Sequence, residues 1–362
     1  MKVIAALPCA KKRIRLKKLI EYKNSQQEKV YFYGWNREDN IDKLNEEFYQ
    51  RDFLLTGGGF VNNKARLMYF LWFFVVLKKC LSFSKDDLIW AMGFESAFPA
   101  IIASKIKGFK VIFDDADRFS YLFSKQNIII SGIKYLEYLS SKYSYLHIIP
   151  CFERYEFKNK SMRILKNTPD KIDSEESKKI LFSSKVLNFR KKYINIIYVN
   201  GWLTDTRGMK QIFELSNYDD IGILIAGRID SNYIQNIVEK ENVLYLGEIP
   251  SVEALGLYIY SDYVFTYYDP KIKINRFAES NKWGDAIEMK TPILVNKEVM
   301  TANFLRENKV CLSYAYNDIY GLYQGILTSD KSKMKINIEK LSNKFGYFDD
   351  QLSKIFRDLG NQ

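Results

Sequence analysis

Short apolar runs alternate with amphipathic stretches along most of the chain, a pattern that reads as strand and helix by turns. Val3–Leu7 predicts a buried strand ending at Pro8. Lys11–Glu21, with Ile14, Leu16, Leu19 and Ile20 set among basic residues, predicts a helix, and Val30–Tyr33 a second strand. Asp87–Met92, Glu95–Ile106 and Lys110–Phe113 predict a strand–helix–strand unit. A helix at Ile133–Ser141 and strands at Leu146–Ile149 and Arg163–Leu165 follow. Lys171–Lys192 is highly charged and poor in aromatic anchors, and the series restarts after it. Strands are expected at Ile194–Val199, Ile221–Ala226, Val243–Leu246, Tyr263–Thr266 and Ile293–Val295, with helices at Met209–Leu215, Val252–Tyr260 and Ala278–Met289. Such alternation builds parallel sheets covered by helices. The expectation is α/β, with two Rossmann-like doubly wound domains: 1–170, a connection at 171–192, a second domain at 193–335, and a tail at 336–362 packing back on the first.

One stretch departs from the alternation. Leu67–Leu77 is eleven apolar residues in a row, preceded by Lys64 and Arg66 and followed by Lys78 and Lys79. It is too short to span a bilayer, which needs about 20 residues. Two readings are open: a helix buried between sheet and neighbours, or a helix lying in the interface of an anionic membrane.

Two segments carry candidate chemistry. In the first, a polar and aromatic lead-in (Tyr267, Tyr268, Asp269, Pro270) enters the helix that Pro292 terminates. Asn281 and Asp285 are four apart and Lys282 and Asp285 three apart, so they share one surface. A carboxylate aimed at a diol, beside a cation near a helix start, suits the ribose and phosphate of a nucleotide; a solvated surface pair is the plain alternative. In the second, Gly201, Trp202 and the segment Thr206-Arg207-Gly208-Met209-Lys210 follow a strand. Asp205 or Thr206 is placed to cap the next helix, and Arg207 and Lys210 put two cations at its start, a seat for a diphosphate.

Composition narrows the partners. The net charge of +12 favours anions. The basic residues are spread rather than striped, and no nucleic-acid-binding module is visible, so no nucleic acid is expected. No Gly-rich dinucleotide or phosphate-loop motif occurs. Cys9, Cys80, Cys151 and Cys311 are scattered, and His147 is the single histidine. Disulfide frameworks and histidine-based metal sites are therefore not expected, and His147 reads as a core residue. The N-terminus lacks the order of a signal peptide, so a cytoplasmic location is expected.

These segments resemble the bacterial GT-B glycosyltransferases of family 4, of the capsule, O-antigen and exopolysaccharide cluster type. YVNGWLTDTRGM resembles the opening of the family's donor domain. NVLYLGEIPSVEALGLYIYSDYVFTYY and SNKWGDAIEMKTPILVN resemble its later donor-domain passages, and LIWAMGFESAFPAIIASKIKGFKVIFDDAD its acceptor-side passage. The resemblance implies two Rossmann-like domains facing a central cleft. It also implies transfer of a sugar from a nucleotide-sugar, here a UDP-sugar, with retention, without metal or other cofactor. The acceptor implied is a lipid-linked (polyprenyl diphosphate) or polysaccharide glycan at the anionic inner face of the cell membrane. It gives Asp285 the donor ribose, Arg207 and Lys210 the diphosphate and leaving group, Asn281 and Lys282 a donor-side element, and Glu95 and Asp117 acidic positions facing the acceptor. Gly201 and Trp202 complete the donor seat. Departures are present as well. Trp90, Met92 and Ala116 stand where the family often has histidine, Trp202 where many members have arginine, and Phe277 where an acidic residue is usual. Two alternatives follow: a non-catalytic partner subunit, or a GT-B epimerase acting on the nucleotide-sugar alone.

Overall fold

The computed structural model describes residues 1–7, 13–37, 48–59, 63–123 and 127–360, which form two compact units, 1–165 with 349–362, and 166–348. In the first, β1 (Lys2–Ala5), α1 (Ile14–Ser25), β2 (Tyr31–Asn36), β3 (Gln50–Thr56), α2 (Asn63–Cys80), β4 (Leu88–Met92) and α3 (Phe94–Lys107) come in turn. Then follow β5 (Lys110–Asp114), α4 (Ile128–Tyr143), β6 (Leu146–Ile149) and β7 (Met162–Ile164). Its seven strands run parallel in the order β3-β2-β1-β4-β5-β6-β7, so the winding reverses between β1 and β4.

Side chains alternate across this sheet, so each strand packs against helices on both of its faces. Ile4, Ile89, Ala91, Val111 and Phe113 share one apolar cluster with Trp72 and Val76 of α2 and Ala97 and Ala100 of α3. Trp90 and Asp114 point the other way, where Arg15 of α1 pairs with Asp114 at 2.8 Å. The helix α3 ends where Gly108, at φ +83°, takes the left-handed turn and donates its N–H to Ser104 O.

In the second unit, α5 (Lys171–Ser177), α6 (Ser184–Lys192), β8 (Asn195–Asn200), β9 (Leu203–Thr204), α7 (Met209–Leu215), β10 (Ile221–Ala226) and β11 (Ile229–Asp230) are followed by α8 (Ile234–Val238), β12 (Val243–Tyr245), α9 (Ser251–Gly256) and β13 (Tyr263–Thr266). Next come α10 (Lys273–Arg276), α11 (Asn281–Glu288), β14 (Ile293–Asn296), α12 (Asn303–Glu307), β15 (Cys311–Tyr314), α13 (Ile319–Thr328), α14 (Lys331–Phe345) and α15 (Phe348–Gly360), the last returning to the first unit. Six parallel strands lie in the order β12-β10-β8-β13-β14-β15. Both β8 and β10 are buried at every position, as expected of parallel strands covered on both faces.

Several boundaries differ from the sequence reading. The first helix begins at Ile14; Lys11 and Lys12 lie outside the described residues. Residues 171–192, expected as a connection, form α5 and α6, and Val186 of α6 is buried in the second unit's core. The tail breaks at Gly346, φ +68°, into α14 and α15. The edge strands β3 and β15 were not foreseen, because neither has a fully buried position to mark it.

Candidate functional site

In the second unit the winding reverses between β8 and β13, and the carboxyl ends of strands at such a point are where open α/β sheets bind ligands. Three chain segments meet there. The first leaves β8 through Gly201, φ +93°, whose amide donates to Ala226 O. Gly227 follows β10 at φ +134°, and a Cβ there would stand 2.1 Å from Gly201 O. Only glycine allows that approach, and sequence reasoning passed over Gly227; a glycine directly after an all-buried strand was the available signal.

The second segment is the turn at Thr204–Arg207. Asp269 N donates to Thr206 O at 2.9 Å, and Asn275 Nδ2 reaches Asp269 O at 3.1 Å, tying the turn to the lead-in of α11. The expected side-chain cap is not made. Asp205 and Thr206 sit in a 3₁₀ turn, Gly208 at φ +77° is the residue before α7, and Asp205 instead accepts from the Ser231 hydroxyl. The tight turn holds both side chains away from the first amides of α7.

The third segment is α11. Trp283, fully buried, donates Nε1 to Thr266 Oγ1 at 3.0 Å and orients the helix against β13. Gly284 lets the backbone of Asn167 approach so closely that a Cβ would lie 2.0 Å from its carbonyl. With that face turned inward, Lys282 and Asp285 are half-buried on the opposite side.

Lys282 is the centre of the arrangement. Its Nζ would lie 3.6 Å from a Cβ on Gly201. Burial and then the like charge of Arg207 push its pKa down to about 8, against the opposing pull of Asp285. The Asp285 charge also reaches the buried phenols of Tyr198 and Tyr258, both held well above their usual range by burial first. Asn200, the last residue of β8, is buried, donates Nδ2 to Tyr258 OH at 3.3 Å and leaves Oδ1 without a hydrogen-bond partner. Two mutually repelling cations, a carboxylate and an open amide oxygen thus surround the end of β8. An anion between the cations relieves the repulsion.

The other predicted donor-side residues are more exposed. Arg207 is exposed, as are Asn281 at the first position of α11 and Trp202. Lys210 pairs with Glu214 at 3.7 Å on the exposed side of α7.

In the first unit, Glu95 lies in the first turn of α3 and curls back over Gly93, where a Cβ would lie 2.6 Å from its carboxylate oxygens. Burial, and less so the Asp115 charge, raises its pKa, while Arg13 and Arg37 oppose. Asp117 is exposed, 3.7 Å from Arg154. The buried acids of that loop are its neighbours. Asp114 holds Arg15 and accepts from Trp90 Nε1 at 3.0 Å, and Asp115 accepts from Tyr155 OH at 2.8 Å. His147 is a core residue, stacked on Phe113 with Nδ1 2.6 Å from Ser141 Oγ.

No protein-family model matches the chain, and no curated protein matches it. Solved structures do match. Sucrose-phosphate synthase from Thermosynechococcus elongatus aligns with a TM-score of 0.70 at 13% identity, covering 99% of this chain and 98% of that one. HepE from Anabaena, in complex with UDP, aligns at 0.68 with 12% identity and covers both chains completely, at 100% each. A UDP-N-acetylglucosamine 2-epimerase aligns at 0.61 with 13% identity over 100% of this chain and 97% of that one. At such identities the likeness speaks for the fold: α/β, two parallel-sheet Rossmann-like domains of the GT-B architecture.

Proposed function

We propose that the protein is a GT-B glycosyltransferase that takes a sugar from a UDP-sugar. The observation that carries this reading is the meeting of Lys282, Arg207, Asp285 and Gly201 at the point where the second sheet reverses its winding. In this reading the diphosphate lies between Lys282 and Arg207, near the start of α11, whose free amides add positive potential. Asp285 takes the ribose hydroxyls. As the bond from the sugar's anomeric carbon to the diphosphate oxygen breaks, negative charge grows on the departing nucleotide. Fixed cations stabilise it there without reorganising, and in this reading no metal is called on. Lys210, paired with Glu214, is a weaker candidate for the same task than Lys282. The sugar is a hexose, and its transfer proceeds with retention.

The acceptor in this reading is a lipid-linked glycan of bacterial surface-polysaccharide synthesis, met at the inner face of the cell membrane. Glu95 is the acid proposed to act toward the acceptor hydroxyl, because burial makes it the readier proton carrier; Asp117 is the second candidate.

Calorimetry with UDP and GDP on the wild type and on Asp285→Ala tests the donor site. UDP binding that is lost in the variant supports the reading. Absence of binding by either nucleotide would remove it. The epimerase-like neighbour favours a second reading, epimerisation of the nucleotide-sugar itself. Conversion of UDP-N-acetylglucosamine without any acceptor would identify it.

A further inference from the structure

The helix α2 turns only one side of its apolar surface to the sheet. Trp72, Val76 and Cys80 are fully buried. Leu67, Phe70, Leu71 and Phe74, spaced i, i+3, i+4 and i+7, form a stripe on the opposite side and are 64%, 69%, 45% and 61% exposed. Lys78 prolongs the stripe by one turn and is also exposed. A helix on a protein surface ordinarily carries polar residues on such a face.

A second apolar group is exposed on the same unit. Leu122 and Phe123 are exposed, and so are Ile128 and Ile129 in the first turn of α4, the former at 86%. Phe123 packs on Phe119 at 5.5 Å between ring centres, and Phe119 packs on Tyr69 of α2 at 5.9 Å. The start of α4 is ordered, since Asn127 Oδ1 accepts from Ile130 N at 3.0 Å. The two isoleucines are therefore held outward by a capped helix. Exposed apolar side chains grouped on one helix face in this way mark an interaction site.

Charge selects the occupant. From Asn63 to Cys80 the helix contains no acidic residue, its last turn carries Lys78 and Lys79, and the chain as a whole has a net charge of +12. Among the described residues no helix is long and apolar enough to cross a membrane. An apolar stripe closed by lysine suits a helix lying in the headgroup region of acidic lipid. We infer that this face, α2 with the Leu122–Phe123 turn and the start of α4, docks the protein on an anionic bilayer. Phe70, Phe74, Ile128 and Ile129 enter the acyl boundary and Lys78 meets acidic headgroups. The basic helix α1 belongs to the other face of the sheet, with Arg15 buried on Asp114, so it does not share this surface. The inference deepens the lipid-linked reading of the acceptor, and it is tested without donor or acceptor.

The full chain is sedimented with vesicles of phosphatidylcholine, with and without phosphatidylglycerol. The wild type is expected to sediment with the acidic vesicles. Phe70→Ser/Phe74→Ser and Ile128→Ser/Ile129→Ser should each lower partitioning about tenfold or more. Lys78→Glu should weaken binding to the acidic vesicles most at low salt. A wild type that stays in the supernatant, or serine variants that sediment unchanged, would overturn the inference. So would a lipid-free dimer that these substitutions make monomeric, which would identify a second copy of the chain as the occupant. Nucleotide calorimetry on the same variants separates the two readings. Vesicle binding without UDP binding removes the donor site and leaves this face standing, and the reverse removes only this face.

Discussion

Lys282 is where the candidate site is most sensitive to solution conditions. Its pKa in the folded protein is pushed down to about 8 by burial and by Arg207, while an unfolded lysine titrates near 10.4. The unfolded chain holds the proton longer, so this group's contribution to stability rises with pH through the window between the two values. Ligand binding runs the opposite way. A diphosphate favours the charged lysine and raises its pKa, so binding takes up a proton above pH 8. Affinity for the nucleotide should fall by up to about tenfold per pH unit between pH 8 and 10, and calorimetry across that range measures it. The slope should vanish in Lys282→Met. A slope that persists in that variant places the proton elsewhere.

At the scale of the element, α11 is built by contacts that point away from the candidate site. Trp283 and Gly284 face inward, and the eight-residue helix is too short to be stable by itself. Gly284→Ala would drive a methyl into Asn167 O, and a destabilisation of about 1–3 kcal/mol is expected, read as a lower urea midpoint. Because the shift moves Lys282 and Asp285, nucleotide affinity should fall in the same variant although neither residue is changed. The shared surface of Lys282 and Asp285 on α11 was legible in the sequence from their spacing, and so were the interior strands. The edge strands β3 and β15 were not, since half-exposed edge positions dilute the apolar run that marks a strand.

At the scale of the whole molecule, the chain ends by returning to its first unit. Leu352 and Ile355 of α15 are buried, Phe356 stacks on Tyr22 and lies 5.8 Å from Trp90, and Lys23 sits over its ring at 3.5 Å. Cutting the chain after Gly346 removes these three apolar side chains and the fully buried Phe348, a loss of roughly 6 kcal/mol or more at about 1.5–3 kcal/mol each. The truncated protein should show a lower melting temperature or fail to stay soluble. Unchanged melting would mean that α15 does not support the first unit.

The two parallel-sheet units and the identity of most candidate residues could be read from the chain alone. Apolar runs, helix spacing and Pro292 are local signals, and local signals survive in one dimension. Which of those residues meet is a tertiary matter. Lys282 is central and Lys210 peripheral because α11 is turned by Trp283 and Gly284 while α7 points its lysine at Glu214. Gly227 matters because of Gly201, 26 positions earlier, and only the pairing of β8 with β10 brings them together. Asp114 and Asp115 are buried and Asp117 exposed because partners from distant segments, Arg15 and Tyr155, reach the first two. Likewise α1 and α2 look alike as basic or basic-flanked apolar stretches, yet the crossovers β1–α1–β2 and β3–α2–β4 wind in opposite directions along the sheet, which puts them on opposite faces. Sequence spacing determines what a segment becomes; long-range packing decides what it faces.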